Sequence, residues 1–263
     1  MTTHIGSYDS KQKNTQKRGI KPLVPKLNVS PKMDVLKFLT SLREFSQIPS
    51  QDLVSLAEVS RMASYGPGEF ITHEGEDEGA SGFIVVSGLF AMLKTSTEGK
   101  ELIVELLQAG DNFGMLLTLA REKLPSQLSA RAMQKSSVLW LPIQQFMQLL
   151  KAHPILFKDS VAHLLLCLHS SYGLSRGLAH DKVEVRIAAV LQSLAIKFPK
   201  QLSDDAPYTI NFTRQQLADL TGTTPETAIR VTRAMQREGL IDIQRPGVIR
   251  ITDLKGLQAL VDG

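Results

Sequence analysis

Three charged side chains near the carboxyl end of the chain have the types and spacing needed to read DNA bases. Glu226, Arg230 and Arg233 stand at i, i+4 and i+7, so a helix places them on one face. An arginine can donate two hydrogen bonds to O6 and N7 of guanine, and a glutamate can accept one from N4 of cytosine. Two alternatives stay open: an exposed Glu–Arg pair that only supports the helix, or a capping box between Glu226 and Thr223.

The elements around these residues favour base reading. Thr213 and Thr224 are each suited to cap a short helix, and Gly222 separates the two helices. Two short helices joined through a glycine form a helix-turn-helix pattern. A β-hairpin pattern follows over residues 240–251. We therefore predict a winged helix-turn-helix that binds double-stranded DNA.

The middle of the chain changes from short helices over residues 33–63 to short β-type runs punctuated by glycines from Ser64 onward. Such runs predict a small all-β barrel or roll. A long helical stripe of apolar residues follows over residues 156–178. The stripe favours a helix that joins two copies of the chain, with four residues near the two-fold axis; a core helix packed on its own β-roll is the alternative. These four residues are Val161, Leu164, Leu168 and Leu178.

Composition limits the classes of protein to which the chain can belong. Its 263 residues suffice for about two domains, and no apolar run reaches the roughly 18 residues of a membrane-spanning helix. The first residues lack the apolar core of a secretory signal, and one cysteine, Cys167, cannot form a disulfide within the chain. We expect a cytoplasmic protein with no membrane partner. Residues 1–32, with seven Lys or Arg against one Asp, predict a disordered basic tail that is either solvated or touches DNA or a partner.

The stretch from Thr213 to Val231 resembles the helix-turn-helix of the Crp/Fnr family of bacterial transcription regulators. In that family a Glu and an Arg four residues apart read the bases, and they correspond to Glu226 and Arg230. Pro225 stands where some members carry a third base-reading side chain. The family's phosphate-contacting positions correspond to Thr213, Arg214, Gln215, Thr224 and Thr227.

Residues 68–76, 83–88 and 98–114 resemble the family's cyclic-nucleotide-binding-type β-roll, so the resemblance covers roughly residues 35–255. It implies an α+β protein with an N-terminal antiparallel β-roll of the jelly-roll type, a long dimerisation helix and a C-terminal winged helix-turn-helix. It also implies a homodimer that reads an inverted repeat and has RNA polymerase as a partner. The expected domains are the tail at 1–32, the sensor at 33–150, the dimerisation helix at 151–182 and the DNA-binding domain at 183–263.

The family's motif for cyclic AMP is incomplete in this sequence. Members that bind cyclic AMP carry Gly-Glu early in a phosphate-binding loop and Arg-Ser at its end. Here Met115 follows Gly114, and Ser126-Gln127 stands in place of Arg-Ser. An anionic phosphate without a charge partner in a shielded pocket is costly, so we expect that cyclic AMP does not control the protein, unless Arg121 of the same loop swings in. The expected effector pocket comprises Gly114, Met115, Ser126, Gln127, Ser171 and Tyr172.

The effector and cofactor stay unknown from the sequence; a cyclic dinucleotide, a lipid-like or other small molecule, or no ligand are all open. An iron–sulfur cluster lacks its cysteines, and haem would depend on a lone histidine among His73, His163 and His169. A cupin-type metalloenzyme needs His-x-His and Glu on adjacent strands, and the β region has only His73. We therefore expect no enzyme and no metal. A nucleotide-responsive module that binds another protein is the other alternative, against which the helix-turn-helix pattern argues.

Overall fold

A computed structural model describes five segments of the chain, residues 32–76, 81–115, 126–197, 209–245 and 247–262. The predicted tail, up to residue 31, lies outside the described residues, as does Arg121. The described part has the predicted α+β architecture, with a β-roll, a long helix and a winged helix-turn-helix in that order.

Eight short strands form the β-roll. They are β1 (Arg61–Tyr65), β2 (Phe70–Thr72), β3 (Ser81–Ser87), β4 (Leu89–Thr95), β5 (Glu101–Gln108), β6 (Asn112–Phe113), β7 (Ser129–Ala132) and β8 (Ser136–Pro142). They pair antiparallel in two four-stranded sheets, with the order β1-β8-β3-β6 in the first sheet and β2-β7-β4-β5 in the second. The predicted antiparallel β-roll is confirmed.

Side chains alternate between the two faces of each sheet. On β4, Phe90 and Met92 point into the roll, where they meet the stacked rings of Phe83 and Phe113, whose centroids are 4.9 Å apart. Ala91 and its outward neighbours on the second sheet belong to a different cluster, shared with the DNA-binding domain. The second sheet is therefore buried on both faces.

Helices cover the outer face of the first sheet. They are α1 (Lys32–Ser41), a 3₁₀ turn (Arg43–Phe45), α2 (Ser50–Val59) and α3 (Ile143–Ala152). Leu39 and Phe45 pack against Ile84 and Leu139 of the sheet. Helix α2 begins at Ser50, directly after Pro49, and belongs to the short helices that the sequence predicts over residues 33–63.

The long apolar stripe forms one helix, α4 (Pro154–His180), about 40 Å long at 1.5 Å per residue. Its first turn packs into the helical layer through Leu156. Further along, large apolar side chains remain 37–67% exposed. They are Phe157, Val161, Leu164, Leu165, Leu166, Leu168 and Tyr172. No helix in the described segments is both long and apolar enough to span a membrane.

The last part of the chain is the winged helix-turn-helix. Its elements are α5 (Val183–Lys197), β9 (Thr209–Asn211), α6 (Arg214–Thr221), α7 (Pro225–Arg237), β10 (Ile241–Arg245), β11 (Val248–Ile251) and α8 (Leu254–Asp262). The strands form an antiparallel sheet in the order β10-β11-β9. Ile187 of α5, Leu217 of α6 and Val231 of α7 share one core. Helix α6 also packs on β5, so the DNA-binding domain rests on the outer face of the second sheet.

Candidate nucleic-acid interface

Helix α6 begins at a reciprocal capping box. The Gln216 backbone N–H donates to Thr213 Oγ1 at 3.1 Å, and the Thr213 backbone N–H donates to Gln216 Oε1 at 2.8 Å. The residue after its last turn is the C-cap Gly222, whose φ of +59° lies in the left-handed region that glycine adopts without strain. Both ends of the first helix are thus fixed by local chemistry, as the sequence predicts.

Thr224 caps the start of helix α7, because its Oγ1 accepts a hydrogen bond from the Thr227 backbone N–H at 3.3 Å. Pro225 occupies the first helical position, where it loses no hydrogen bond. Glu226 is therefore the second residue of the helix, and the hypothesis of a capping box with Thr223 is wrong. The exposed Glu226 carboxylate is nevertheless well placed, because helix amino ends favour negative charge.

The two faces of α7 differ sharply in chemistry. Ala228, Val231 and Met235 are buried in the domain core. The opposite face exposes Glu226, Arg230 and Arg233, so the predicted alignment of these three residues on one face is confirmed. A helix with one packed apolar face and one charged free face can present its polar groups to a groove of DNA.

Two adjoining hollows run along this exposed face. One, of about 290 Å³, lies between α6, α7 and the β10–β11 hairpin, and the other follows α7. They share Ile229, Arg233 and Gln236, so their linings form one continuous surface. Five arginines lie on it: Arg214, Arg230, Arg233, Arg237 and Arg245.

The sequence did not point to two of these arginines. Arg237 lies one turn after Arg233 on α7, and Arg245 flanks the turn of the hairpin. Two sequence signals could have identified them: the helical spacing of Arg237 from Arg233, and the position of Arg245 in an Arg-Pro-Gly turn. The nearly balanced charge of residues 183–263, with ten Lys or Arg against nine Asp or Glu, hides this one-sided distribution. A basic patch on one face is the electrostatic footprint of a nucleic-acid site.

The residues predicted to contact phosphates lie at the amino ends of α6 and α7. Thr213, Arg214 and Thr224 are exposed, and Thr227 is half-buried. Gln215 differs, because its Nε2 donates to Asp219 Oδ1 at 2.7 Å, one turn further along α6. Its amide is therefore engaged within the helix in this structure.

Asp219 is a buried acid that the sequence did not single out. It is 5% exposed, on the side of α6 that faces the β-roll. Burial raises the pKa of the Asp219 carboxyl, and the negative charge of Glu101 adds to that rise. The hydrogen bond from Gln215 and the positive charge of Arg131 act in the opposite direction. Asp219 therefore lies within the electrostatic reach of two residues of the β-roll.

Comparisons with known proteins agree with both halves of this architecture. Residues 62–153 match the model of the cyclic nucleotide-binding domain, and residues 185–260 match that of the Crp-like helix-turn-helix domain. The cAMP-activated global transcriptional regulator CRP of Escherichia coli O157:H7 is 29% identical over 171 residues, which are 65% of this chain and 80% of the relative. The chain belongs to the Crp/Fnr family of transcriptional regulators.

Two further comparisons, one with a sequence and one with a solved structure, lead to Thermus thermophilus. The transcriptional regulator SdrP is 26% identical over 208 residues, which are 79% of this chain and 97% of the relative. A solved structure of a Crp/Fnr-family regulator from the same organism aligns with a TM-score of 0.64 at 26% identity, over 77% of this chain and 98% of that chain. The protein is thus a DNA-binding transcriptional regulator of the Crp/Fnr type.

The residues expected around the effector of this Crp/Fnr regulator lie on three elements. Gly114 and Met115 follow β6, and the Met115 side chain is buried among Ile84 and Leu139 in the cluster beneath the covering helices. A Cβ at Gly82 would collide with Met115 Cγ, so the methionine packs directly against the first sheet. The Met115 side chain belongs to the outer cluster, whereas Phe83 and Phe113 belong to the interior one.

The other expected effector residues precede β7 or lie on α4. Ser126 is buried and its Oγ donates to the Leu128 carbonyl at 2.7 Å, whereas Gln127 is exposed. Ser171 Oγ donates to the Cys167 carbonyl within α4 at 2.9 Å, and Tyr172 is 65% exposed on the same helix. The polar groups of the two serines are therefore used locally.

Two hydroxyl groups of the β-roll that the sequence did not indicate are buried without a hydrogen-bond partner, those of Tyr65 and Thr72. Burial is also the main reason why the pKa of the Tyr65 phenol rises to about 12, so that the group is neutral at physiological pH. Among the described residues, no cluster of three or more His, Cys, Asp or Glu side chains is arranged to hold a metal ion.

Proposed function

We propose that this Crp/Fnr regulator is a homodimer that reads an inverted DNA repeat through Glu226, Arg230 and Arg233, and that ordinary cyclic AMP does not control it. The observation that carries the proposal is the exposed face of α7, which bears these residues on an arginine-lined surface. An arginine that donates two hydrogen bonds to a guanine gives both affinity and discrimination between base pairs.

Phosphate contacts fix the position of a DNA-binding domain on the duplex. The amino ends of α6 and α7 suit this role, because free backbone N–H groups and the helix dipole favour phosphate oxygens. The residues that we assign to phosphate contacts are Thr213, Arg214, Gln215, Thr224 and Thr227. Gln215 can take part once its amide is released from Asp219.

A second copy of the chain is the proposed occupant of the exposed apolar side of α4. Leu164 and Leu168 are 49% and 43% exposed, and with Val161 they follow the alternating spacing of three and four residues that is typical of a coiled-coil seam. A contiguous apolar surface on a water-soluble domain marks an interaction site. Leu178 is not part of the proposed seam, because it packs against Gly222 of its own chain.

The dimer symmetry sets the geometry of the DNA site. Two recognition helices related by a two-fold axis read half-sites about one helical turn apart, ~34–36 Å between centres. RNA polymerase is the proposed protein partner at the promoter. Because such a regulator acts on chromosomal DNA, the proposed location of the protein is the cytoplasm.

The description of the Escherichia coli relative as cAMP-activated does not carry over to this chain in our proposal. The Met115 side chain lies in an apolar cluster, and the Ser126 hydroxyl is engaged by a neighbouring carbonyl. Neither residue offers a cation for an anionic phosphate, and the hydroxyls of Tyr65 and Thr72 are neutral. A neutral or differently charged ligand, or none, fits this environment better.

The direct test is selection of bound sequences from a pool of random duplex DNA by the full-length protein without added nucleotide. We expect enrichment of an inverted repeat with a G·C pair in each half-site. Enrichment of no sequence, or of one unpaired half-site by a monomer, would contradict the proposal.

A further inference from the structure

Arg186 lies in the first turn of α5, directly after the link that joins α5 to the long helix α4. Its Nη1 donates to the carbonyl of Asp181, the C-cap residue of α4, at 3.0 Å. Its Nε donates to the carbonyl of Thr221, the last residue of α6, at 2.9 Å, and Nη2 lies 3.5 Å from the Gly222 carbonyl. One guanidinium thus connects the ends of two helices from different parts of the fold.

The contact with the Thr221 carbonyl is that of a cation at a helix carboxyl end, whereas Asp181, the extended C-cap residue of α4, offers a carbonyl of the link to α5. The last carbonyls of a helix have no partner within it and carry partial negative charge. Arginine presents its donors in a rigid planar fork, whereas lysine concentrates its charge on one flexible ammonium group. Arg186 therefore fixes an angle between the two helix ends as well as a distance.

Apolar side chains from two other elements also meet the turn of the helix-turn-helix at this point. A Cβ at Gly222 would lie 2.5 Å from Leu178 Cδ2 of α4 and 3.7 Å from Leu102 Cδ1 of β5. The turn of the helix-turn-helix is therefore in direct contact with the long helix and with the sensor sheet. Helix α7 begins three residues later, at Pro225, so a displacement of this turn moves the recognition helix as well.

We infer that Arg186 is a positioning residue that holds the recognition helix α7 at a fixed orientation to the long helix α4. The inference rests on the proposed DNA-binding dimer. In a dimer joined through α4, the angle between α4 and α7 determines the separation of the two recognition helices. Arg186 then controls which half-site spacing the protein accepts, without contacting DNA itself.

The test uses the full-length protein and the inverted repeat that the wild type selects from random duplex DNA. The same half-sites are also prepared with one or two base pairs inserted or removed at the centre, and as a single half-site. The wild type should prefer the selected spacing. For Arg186→Gln we expect affinity at that spacing to fall roughly tenfold, as for the loss of charge-assisted hydrogen bonds. Affinity for the altered spacings and for the single half-site should stay nearly unchanged, so that the preference flattens.

Arg61→Gln is the matched control. Arg61 Nη1 donates to the carbonyls of Glu58 and Ser60 at the end of α2, both at 2.8 Å, within the sensor domain. Its loss removes similar bonds without touching the helix-turn-helix, so its spacing profile should equal that of the wild type. Arg186→Lys should restore part of the preference.

Thermal unfolding shows whether Arg186→Gln folds. If it does not, Leu178→Ala replaces it in the test, because Leu178 of α4 packs against the same turn of the helix-turn-helix. It should flatten the spacing preference in the same way. An unchanged spacing preference in folded Arg186→Gln would overturn the inference, as would an equal loss of affinity on every DNA, the single half-site included. A wild type that selects no inverted repeat would overturn the proposed function first, and the role of Arg186 with it.

Discussion

Arg131 on β7 and Glu101 on β5 form a two-bond ion pair on the outer face of the second sheet, with Nη1 2.9 Å from Oε1 and Nη2 2.8 Å from Oε2. Both charges act on Asp219 of α6, and they act in opposite directions. The contact between the second sheet of the β-roll and the DNA-binding domain is therefore charged as well as apolar. Because the Asp219 carboxyl at this contact titrates, the stability of the folded protein depends on pH.

We predict that Asp219→Asn stabilises the protein at neutral pH. Burial raises the pKa of Asp219 in the folded protein above its unfolded value, so the ionised form is penalised by folding. The penalty is fully present above the folded pKa and disappears as the pH falls toward the unfolded value. Urea unfolding should show the variant more stable at pH 7, with the difference shrinking at acid pH.

Asp242→Asn is the matched control for this measurement. Asp242 Oδ1 also accepts a hydrogen bond from a glutamine amide, Gln236 Nε2 at 3.3 Å, but the contact is exposed. Its substitution removes an exposed carboxylate in the same way, and the stability of Asp219→Asn is compared with it at each pH. A loss of stability in Asp219→Asn at pH 7 that grows with pH would mean that the attraction to Arg131 outweighs burial.

Arg214→Ala should weaken DNA binding evenly across sequences. Arg214 is exposed at the amino end of α6, on the arginine-lined surface, and we assign it to a phosphate. Loss of one phosphate contact lowers the slope of log affinity against log salt by about 1. Titrations at several salt concentrations, on cognate and scrambled DNA, measure both effects. A change confined to the cognate sequence would assign Arg214 to a base instead.

A glutamate at the centre of the proposed seam should separate the dimer. In Leu168→Glu a charge would be buried against the second copy without a partner, which costs several kcal/mol, on the order of the loss seen for unpaired buried charges. Sedimentation at micromolar concentration should then show monomers. Ile196→Glu, on α5 at 68% exposure, is the control and should stay dimeric. A dimeric Leu168→Glu, or a monomeric wild type, would place the interface elsewhere.

Cyclic AMP should not be needed for operator binding. Relative to the family's cyclic AMP motif, this chain lacks the Arg that pairs with the phosphate and has Met115 in place of the hydrogen-bonding Glu. Each loss should cost roughly 1–3 kcal/mol of binding free energy, and together they lower the affinity by about two to four orders of magnitude. Calorimetric titration and DNA binding with and without the nucleotide check this directly. A dissociation constant in the low micromolar range, coupled to tighter operator binding, would show that the pocket supplies a cation after all.

The elements that the sequence predicts well are those fixed by local chemistry. Thr213, Gly222 and Thr224 define the ends of α6 and α7 because caps and left-handed turns depend on a few adjacent residues. The alignment of Glu226 and Arg230 on one face follows from helix periodicity alone.

The contacts that the sequence does not reveal join distant segments. The charges of Glu101 and Arg131 act on Asp219 because α6 packs on the β-roll, and no local pattern encodes that packing. Leu178 continues the apolar stripe of α4, yet the helix-turn-helix of its own chain covers it. Periodicity identifies an apolar face but not the surface that buries it.

The most direct test of the central claim is the effect of Arg230→Ala on each base of the selected operator. Binding of wild type and variant is measured on the cognate repeat and on repeats in which one G·C pair per half-site is changed. We predict that the variant loses about 1–3 kcal/mol on the cognate DNA and no longer distinguishes the base pair that Arg230 reads, while its other base preferences persist. If Arg230→Ala discriminates cognate from altered half-sites as the wild type does, α7 does not read DNA through this residue.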